Sequence, residues 1–246
     1  MWFPIKRLNS LRWRVAWLGA SLLPATIAAG LHYALGRVTF IEVIVLAWLM
    51  PLALYDLAYH EVPHIAFAVV PCLAGMIYVA WQGDWTLAVI AAVVIAASER
   101  HHLPLKLLRR MVVIMAGLAS LGLILATDPN VIAGALLVTC FWFAYEMGRW
   151  GGADALAAIT LALLWPDLRF VLLFAIAHLA LAVVFRPGLV KQLAATPGSA
   201  FQKLLTLRPI SPDELERVGN PGLPPLVLTV VLLVIWESVS PFVFGS

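Results

Sequence analysis

Two aspartates carry the chemistry this sequence offers: Asp56, in YDLAYHEVPH, and Asp154, in RWGGADALAAI. Each stands at the edge of a long apolar run. An ionisable side chain costs about 2.5–3.5 kcal/mol near the centre of a membrane-spanning helix and less near its end, so acids in such places are functional candidates by default. Two carboxylates brought together out of bulk water do not both ionise. They share a proton, and one can act as base on a water while the other protonates a carbonyl oxygen or a leaving amine. That is the chemistry of aspartic proteolysis. Paired acids in an apolar bundle also make proton relays and cation sites, and these residue types alone leave hydrolysis and transport open.

Three further acids lie within apolar runs and have simpler explanations. Glu42 and Glu237 fall toward the outer ends of their segments, where a carboxylate reaches headgroups and water, so a solvated or structural role is expected. Glu146 lies one turn from a segment end and three residues before Arg149, the spacing of a helical ion pair. His60, His64, His101 and His102 read as loop residues rather than metal ligands. Cys72 and Cys140 sit inside apolar runs with no CxxC pairing, which supports neither a disulfide framework nor a zinc ribbon; both read as small buried hydrophobes.

The elements that must position these residues are membrane-length apolar helices. Of the 246 residues, 63% are hydrophobic and only 12% charged, with a mean hydropathy of +0.97, far from a soluble domain. The expected fold class is all-α, one polytopic membrane bundle over 1–246 with about nine spans: 14–35, 39–57, 64–81, 85–98, 111–126, 130–147, 153–165, 169–185 and 224–243. The fourth and seventh are short for independent spans, but the charge pattern requires them. With a cytoplasmic amino terminus, 14 of the 16 basic residues fall on the cytoplasmic side and only Arg37 and Arg169 on the other. The net charge of +3 therefore lies in loops and forms no nucleic-acid-binding stripe.

In this topology the second span descends to the cytoplasmic side and the seventh rises from it, so Asp56 and Asp154 share a depth just inside the cytoplasmic leaflet. Gly151 and Gly152, immediately before the seventh span, permit irregular or closely packed backbone at that depth. The basic head and long apolar run of the first segment read as a retained helix, not a cleaved signal. The longest non-spanning piece, 186–223, is a cytoplasmic loop with short helices. In SPDELERVG, Ser211 caps, Pro212 takes the first position, Glu214 completes a capping box and Gly219 ends the helix. The preceding GSAFQKLLTL sets Phe201, Leu204 and Leu205 on one face, suited to a membrane surface.

YDLAYHEVPH resembles the first-aspartate motif of the type IV prepilin peptidases and archaeal preflagellin peptidases: an aspartate followed by an acid, an aliphatic residue, proline and usually asparagine. Here these are Asp56, Glu61, Val62, Pro63 and His64. GGADALAAI resembles the second motif of these GxGD-type intramembrane aspartic proteases, with Gly151 and Asp154 matching its first glycine and its aspartate. The resemblance extends over about 40–185, and NPGLPPLVL is similar to the proline-rich entry of the family's last core segment.

The resemblance implies a plasma-membrane enzyme that removes the basic leader of a prepilin-like or preflagellin-like precursor at the cytoplasmic face. Asp56 and Asp154 would be the catalytic pair, with neither cofactor nor metal. Gly151, Gly152, Ala153 and Pro63 would be supporting backbone, and Glu61 and Glu146 the acids available to a basic leader. Departures from the pattern are Ala153 for the second glycine, Leu156 where lysine is frequent, and His60 and His64 where basic and amide residues are usual. Asp154 follows Asp56 by 98 residues with four spans between them, against two in the family core, which an inserted hairpin at 85–126 would explain. A cytoplasmic region with paired CxxC motifs, associated in bifunctional members with methyl transfer, is not found, so proteolysis without methylation is expected. The alternatives are a proton- or cation-coupled transporter using the same acids and an inactive relative of the peptidases.

Overall fold

The computed structural model describes residues 11–36, 39–59, 65–100, 104–125, 129–147, 150–185 and 223–244. Among them the chain is all-helical, with nine α-helices and no strand: α1 (Leu11–Leu35), α2 (Phe40–Tyr59), α3 (Val70–Trp81), α4 (Trp85–Ser98), α5 (Lys106–Leu125), α6 (Pro129–Glu146), α7 (Gly152–Leu164), α8 (Leu168–Phe185) and α9 (Leu223–Phe244). Each expected segment is a helix. The third is entered through a π-helical turn, Ile65–Val69. The fifth begins at Lys106, not 111, because Lys106, Arg109 and Arg110 are good helix formers that extend its first turns. The capped helix expected at Ser211–Gly219 and the surface segment before it lie outside the described residues.

Local chemistry explains the breaks. The backbone turns from α3 into α4 through Gly83, whose φ of +94° favours glycine. There the Gly83 and Asp84 N–H groups donate to the carbonyls of Ala80 and Val79, each at 3.1 Å, a Schellman closure. Proline opens α6 at Pro129 and occupies the first turn of α9 at Pro224 and Pro225, where its missing N–H has no intrahelical partner to lose. Between α7 and α8, Pro166 pushes Trp165 out of the helical region, to φ −129° and ψ 75°. Asp167 then caps α8, its Oδ1 accepting the Phe170 N–H at 3.1 Å.

The helices fall into two compact units. The first holds α1, α2, Leu173–Leu181 of α8, and α9; the second runs from the π-helical turn to Leu172. In the first, α2 packs against α1 and α9. Its buried residues are Glu42, Val45, Leu46, Leu49, Leu52, Ala53 and Asp56, the three- and four-residue spacing of one helical face. A carboxylate thus stands at each end of the same inward stripe.

The second unit is built around α7, which packs on α3, α4 and α6. All nine residues from Ala155 to Leu163 are buried, and a helix that is apolar all round belongs in a core. Small residues allow the approach: Gly75 of α3 faces Thr160 and Leu163, where an added Cβ would lie 3.5 Å from Leu163 Cδ1. At Gly134 of α6 the fit is tighter, since a Cβ would come within 2.5 Å of Pro166 Cβ and 3.2 Å of Leu87 Cδ2. Gly134→Ala is therefore expected to destabilise the protein by about 1–3 kcal/mol through overpacking, and chemical unfolding of the purified variant measures it. The hairpin that the sequence spacing marks as an insertion is no appendage. Leu87, Ile90, Ala91 and Val94 of α4 are fully buried, and α4 packs on α3, α5, α6 and α7.

The outer surface inverts the pattern of a soluble bundle. On α5, Leu107, Met111, Ile114, Leu118, Leu121 and Leu125 form an exposed apolar stripe, while small Ala116 and Ser120 are its buried residues. This helix is long and apolar enough to cross a membrane, with a mean hydropathy of 1.8 and only 11% of its apolar window buried. The remaining apolar helical stretches, over the described residues, are 10–17 residues long.

Candidate functional site

Asp56 lies in the last turn of α2, three residues before Tyr59, and is buried, with 7% of its surface exposed. Its place on the inward stripe follows from helical period: Leu49, Leu52 and Ala53 precede it by seven, four and three residues. The side chain is turned into the protein rather than toward the surface. Glu61 and Pro63, which complete this motif, lie outside the described residues, as do His60 and His64.

Asp154 is the third residue of α7 and half-buried. A carboxylate in a first turn is stabilised by the unpaired N–H groups and the positive end of the helix dipole, by about 0.3–1 kcal/mol. Gly151 precedes the helix with φ −67° and ψ 152°, an extended conformation open to any residue. Its role is thus not the backbone freedom expected of it. What glycine supplies here is space: a Cβ at 151 would meet Asp154 Oδ2 at 3.2 Å, so the carboxylate folds back over the bare Cα. Gly152 opens the helix and Ala153 follows, half-buried. Gly151→Ala is expected to leave stability within about 0.5 kcal/mol of the parent and to displace the Asp154 carboxylate by a few tenths of an ångström. Thermal unfolding and a structure of the variant separate the two effects.

Leu156, where the resembling family often carries lysine, is 1% exposed in the core of the second unit. A lysine there would bury an ammonium among apolar side chains.

Glu146 ends α6 and has a partner that sequence spacing did not suggest. Arg100, following α4, grips it bidentately: Nη1 donates to Oε1 and Nη2 to Oε2, the latter at 2.6 Å. Trp142 Nε1 donates to Oε1 at 3.0 Å, and Arg100 Nη1 also donates to the Ala97 carbonyl at 3.0 Å. The side chains are 17% and 11% exposed. Arg149, the expected partner, lies outside the described residues. A contact across 46 positions has no periodic signature, and the visible signal was only an Arg and a Glu at the ends of two apolar segments.

Of the two roles expected for Glu42, solvated or structural, the structural one fits. The side chain is fully buried rather than solvated, and its Oε2 accepts the Thr39 N–H at the start of α2. Thr39 and Glu42 form the T-x-x-E pattern in which a glutamate reaches back to the capping residue, the sequence signal for this contact. Its Oε1 is buried without a hydrogen-bond partner among the described residues. Glu237 is half-buried on α9. Of the cysteines, Cys72 is buried as expected, but Cys140 is exposed, because it shares the outward stripe of α6 with Leu136 and Phe143.

No protein-family model, curated protein or solved structure matches the chain.

Proposed function

We propose that the chain is a multi-pass protein of the plasma membrane, amino terminus in the cytoplasm, and an aspartic endopeptidase of the prepilin or preflagellin leader type. Asp56 and Asp154 are its catalytic pair. The supporting observation is their setting: one carboxylate buried in the last turn of α2, the other folded over a bare glycine in the first turn of α7. Such settings limit hydration and fix orientation, as acid–base work on a peptide bond requires.

Membrane residence is supported by the outward apolar stripe of α5 and by its counterparts Val70, Leu73 and Ile77 on α3 and Leu172, Ile176 and Leu179 on α8. The 13 residues of α7 rise only about 20 Å, against about 30 Å of hydrocarbon. A span this short leaves at least one end below the membrane surface, which supports a site at the Asp154 end.

In the reaction, one carboxylate takes a proton from water as the oxygen adds to the scissile carbonyl carbon, and the other carboxyl protonates the carbonyl oxygen. On collapse of the tetrahedral intermediate the C–N bond breaks, the leaving amine takes the proton held by the first carboxyl, and one hydroxyl of the gem-diol returns its proton to the second carboxylate, which restores the pair. The substrate is a precursor with a basic leader followed by an apolar helix. Glu146 is already neutralised by Arg100, which leaves Glu61 and the catalytic acids to attract the leader. Purified protein in proteoliposomes, offered such a precursor, is expected to release the leader without methyl transfer to the new amino terminus.

One observation favours a second reading. The buried Glu42 oxygen without a partner among the described residues suits a proton-binding site in a transporter. Proton flux that is lost in Glu42→Gln, with no cleavage, would select it.

A further inference from the structure

We infer that the first half of α5 is a site for an acidic phospholipid: Lys106 and Arg110 hold its phosphate, and one acyl chain runs along Ile114, Gly117 and Leu121. The site rests on the membrane residence proposed above and deepens it by naming the lipid class that this helix selects.

Lys106, Arg110, Ile114, Gly117 and Leu121 follow one another at steps of four, four, three and four residues, so they form a single row along the helix. Both cations are exposed. No acid occurs between Arg100 and Asp128, and a cation in the first turn opposes the helix dipole, a cost that a phosphate beside Lys106 offsets. The arginine offers a planar fork to two phosphate oxygens and the lysine a compact charge. Because α5 is long and apolar enough to cross a membrane, charges at its end stand at headgroup level.

Below the charges the row stays open. Ile114 and Leu121 are 60% and 55% exposed, and between them a Cβ added at Gly117 would meet nothing within 4 Å. The missing side chain leaves a shallow notch between two exposed aliphatic residues, a shape that takes a methylene chain. From Arg110 to Leu121 the helix rises about 16 Å, close to one leaflet's half of about 30 Å of hydrocarbon. The outward face of α3, with Val70, Leu73 and Ile77, has no Lys or Arg on its helix, and chain contacts are all it offers a lipid.

Native mass spectrometry tests the site on the chain purified in neutral detergent and equilibrated with equal amounts of dioleoylphosphatidylglycerol and dioleoylphosphatidylcholine. A cation close to an anionic headgroup is worth about fivefold in affinity, so the parent is expected to prefer phosphatidylglycerol by about 25-fold. Lys106→Gln and Arg110→Gln should each reduce the preference by about fivefold, and together abolish it. Arg169→Gln, which removes an exposed cation already paired with Asp167, should leave it within about twofold of the parent. Sodium chloride should collapse the preference in the parent, a readout that needs no variant. Glycerol 3-phosphate, which carries the phosphate without chains, should not displace the lipid at the same concentration.

Equal retention of the two lipids by the parent, a preference that survives the double substitution, or an equal loss in Arg169→Gln would overturn the site. Displacement by glycerol 3-phosphate would make it a site for soluble phosphates and not for a lipid. A chain that stays monodisperse without detergent and takes up neither lipid would overturn membrane residence itself, whereas a detergent-dependent chain without preference would overturn the site alone.

Discussion

Asparagine at position 154 should lower leader cleavage by at least about 10³-fold, the scale of a lost acid–base group, without unfolding the protein. Asparagine keeps the shape of aspartate and removes only its charge and proton. The stability forfeited is the interaction with the first turn of α7, about 0.3–1 kcal/mol. Asp56→Asn should be as damaging to activity and still milder to stability, because the buried carboxylate is replaced by a neutral amide that is less costly to desolvate. Groups that act as one unit lose function together, so the double variant should cleave no more slowly than either single. Initial rates on a precursor, with thermal unfolding of each variant, provide the comparison. A double variant slower by the product of the single effects would mean that the aspartates work independently.

The largest effect on stability is expected from Arg100→Ala. Among the described residues it leaves the Glu146 carboxylate, with a side chain 11% exposed, the Trp142 N–H as its hydrogen-bond donor. Breaking one half of a buried pair costs about 3–5 kcal/mol, mostly from the stranded charge and not from the lost attraction. Adding Glu146→Gln removes that charge and should recover most of the loss, leaving a large coupling energy in the double-mutant cycle. Denaturant unfolding in detergent measures all four proteins. A single variant as stable as the parent would show that water reaches Glu146 freely.

The helices were legible because apolar run length and loop charge are local properties. Segments at 85–98 and 153–165, short by a length rule, were kept by the alternation of basic loops and are α4 and α7. Burial was less legible, since in a chain that is 63% hydrophobic every face of a helix is apolar. Helical period groups Cys140 with Leu136 and Phe143, and Asp56 with Leu49, Leu52 and Ala53, but apolar content does not say which group faces inward. Pairing across distant segments was the least legible. Spacing offered Arg149 to Glu146, whereas the fold brings Arg100 from another helix. At Gly151 the residue type suggests backbone freedom, yet φ is ordinary and what glycine supplies is room for a carboxylate. At Thr39 and Glu42 the T-x-x-E spacing carries the capping contact, while the acid's nearness to an expected membrane boundary suggests solvation instead.

The most direct test is whether this chain cuts a basic-leader precursor. Purified protein in proteoliposomes, incubated with a precursor bearing a basic leader and an apolar helix, should yield one new amino terminus at the leader boundary by mass spectrometry. That product should be absent with Asp56→Asn and with Asp154→Asn. Persistence of the product in both variants would contradict the catalytic pair, and an intact precursor with the parent protein would contradict the peptidase itself.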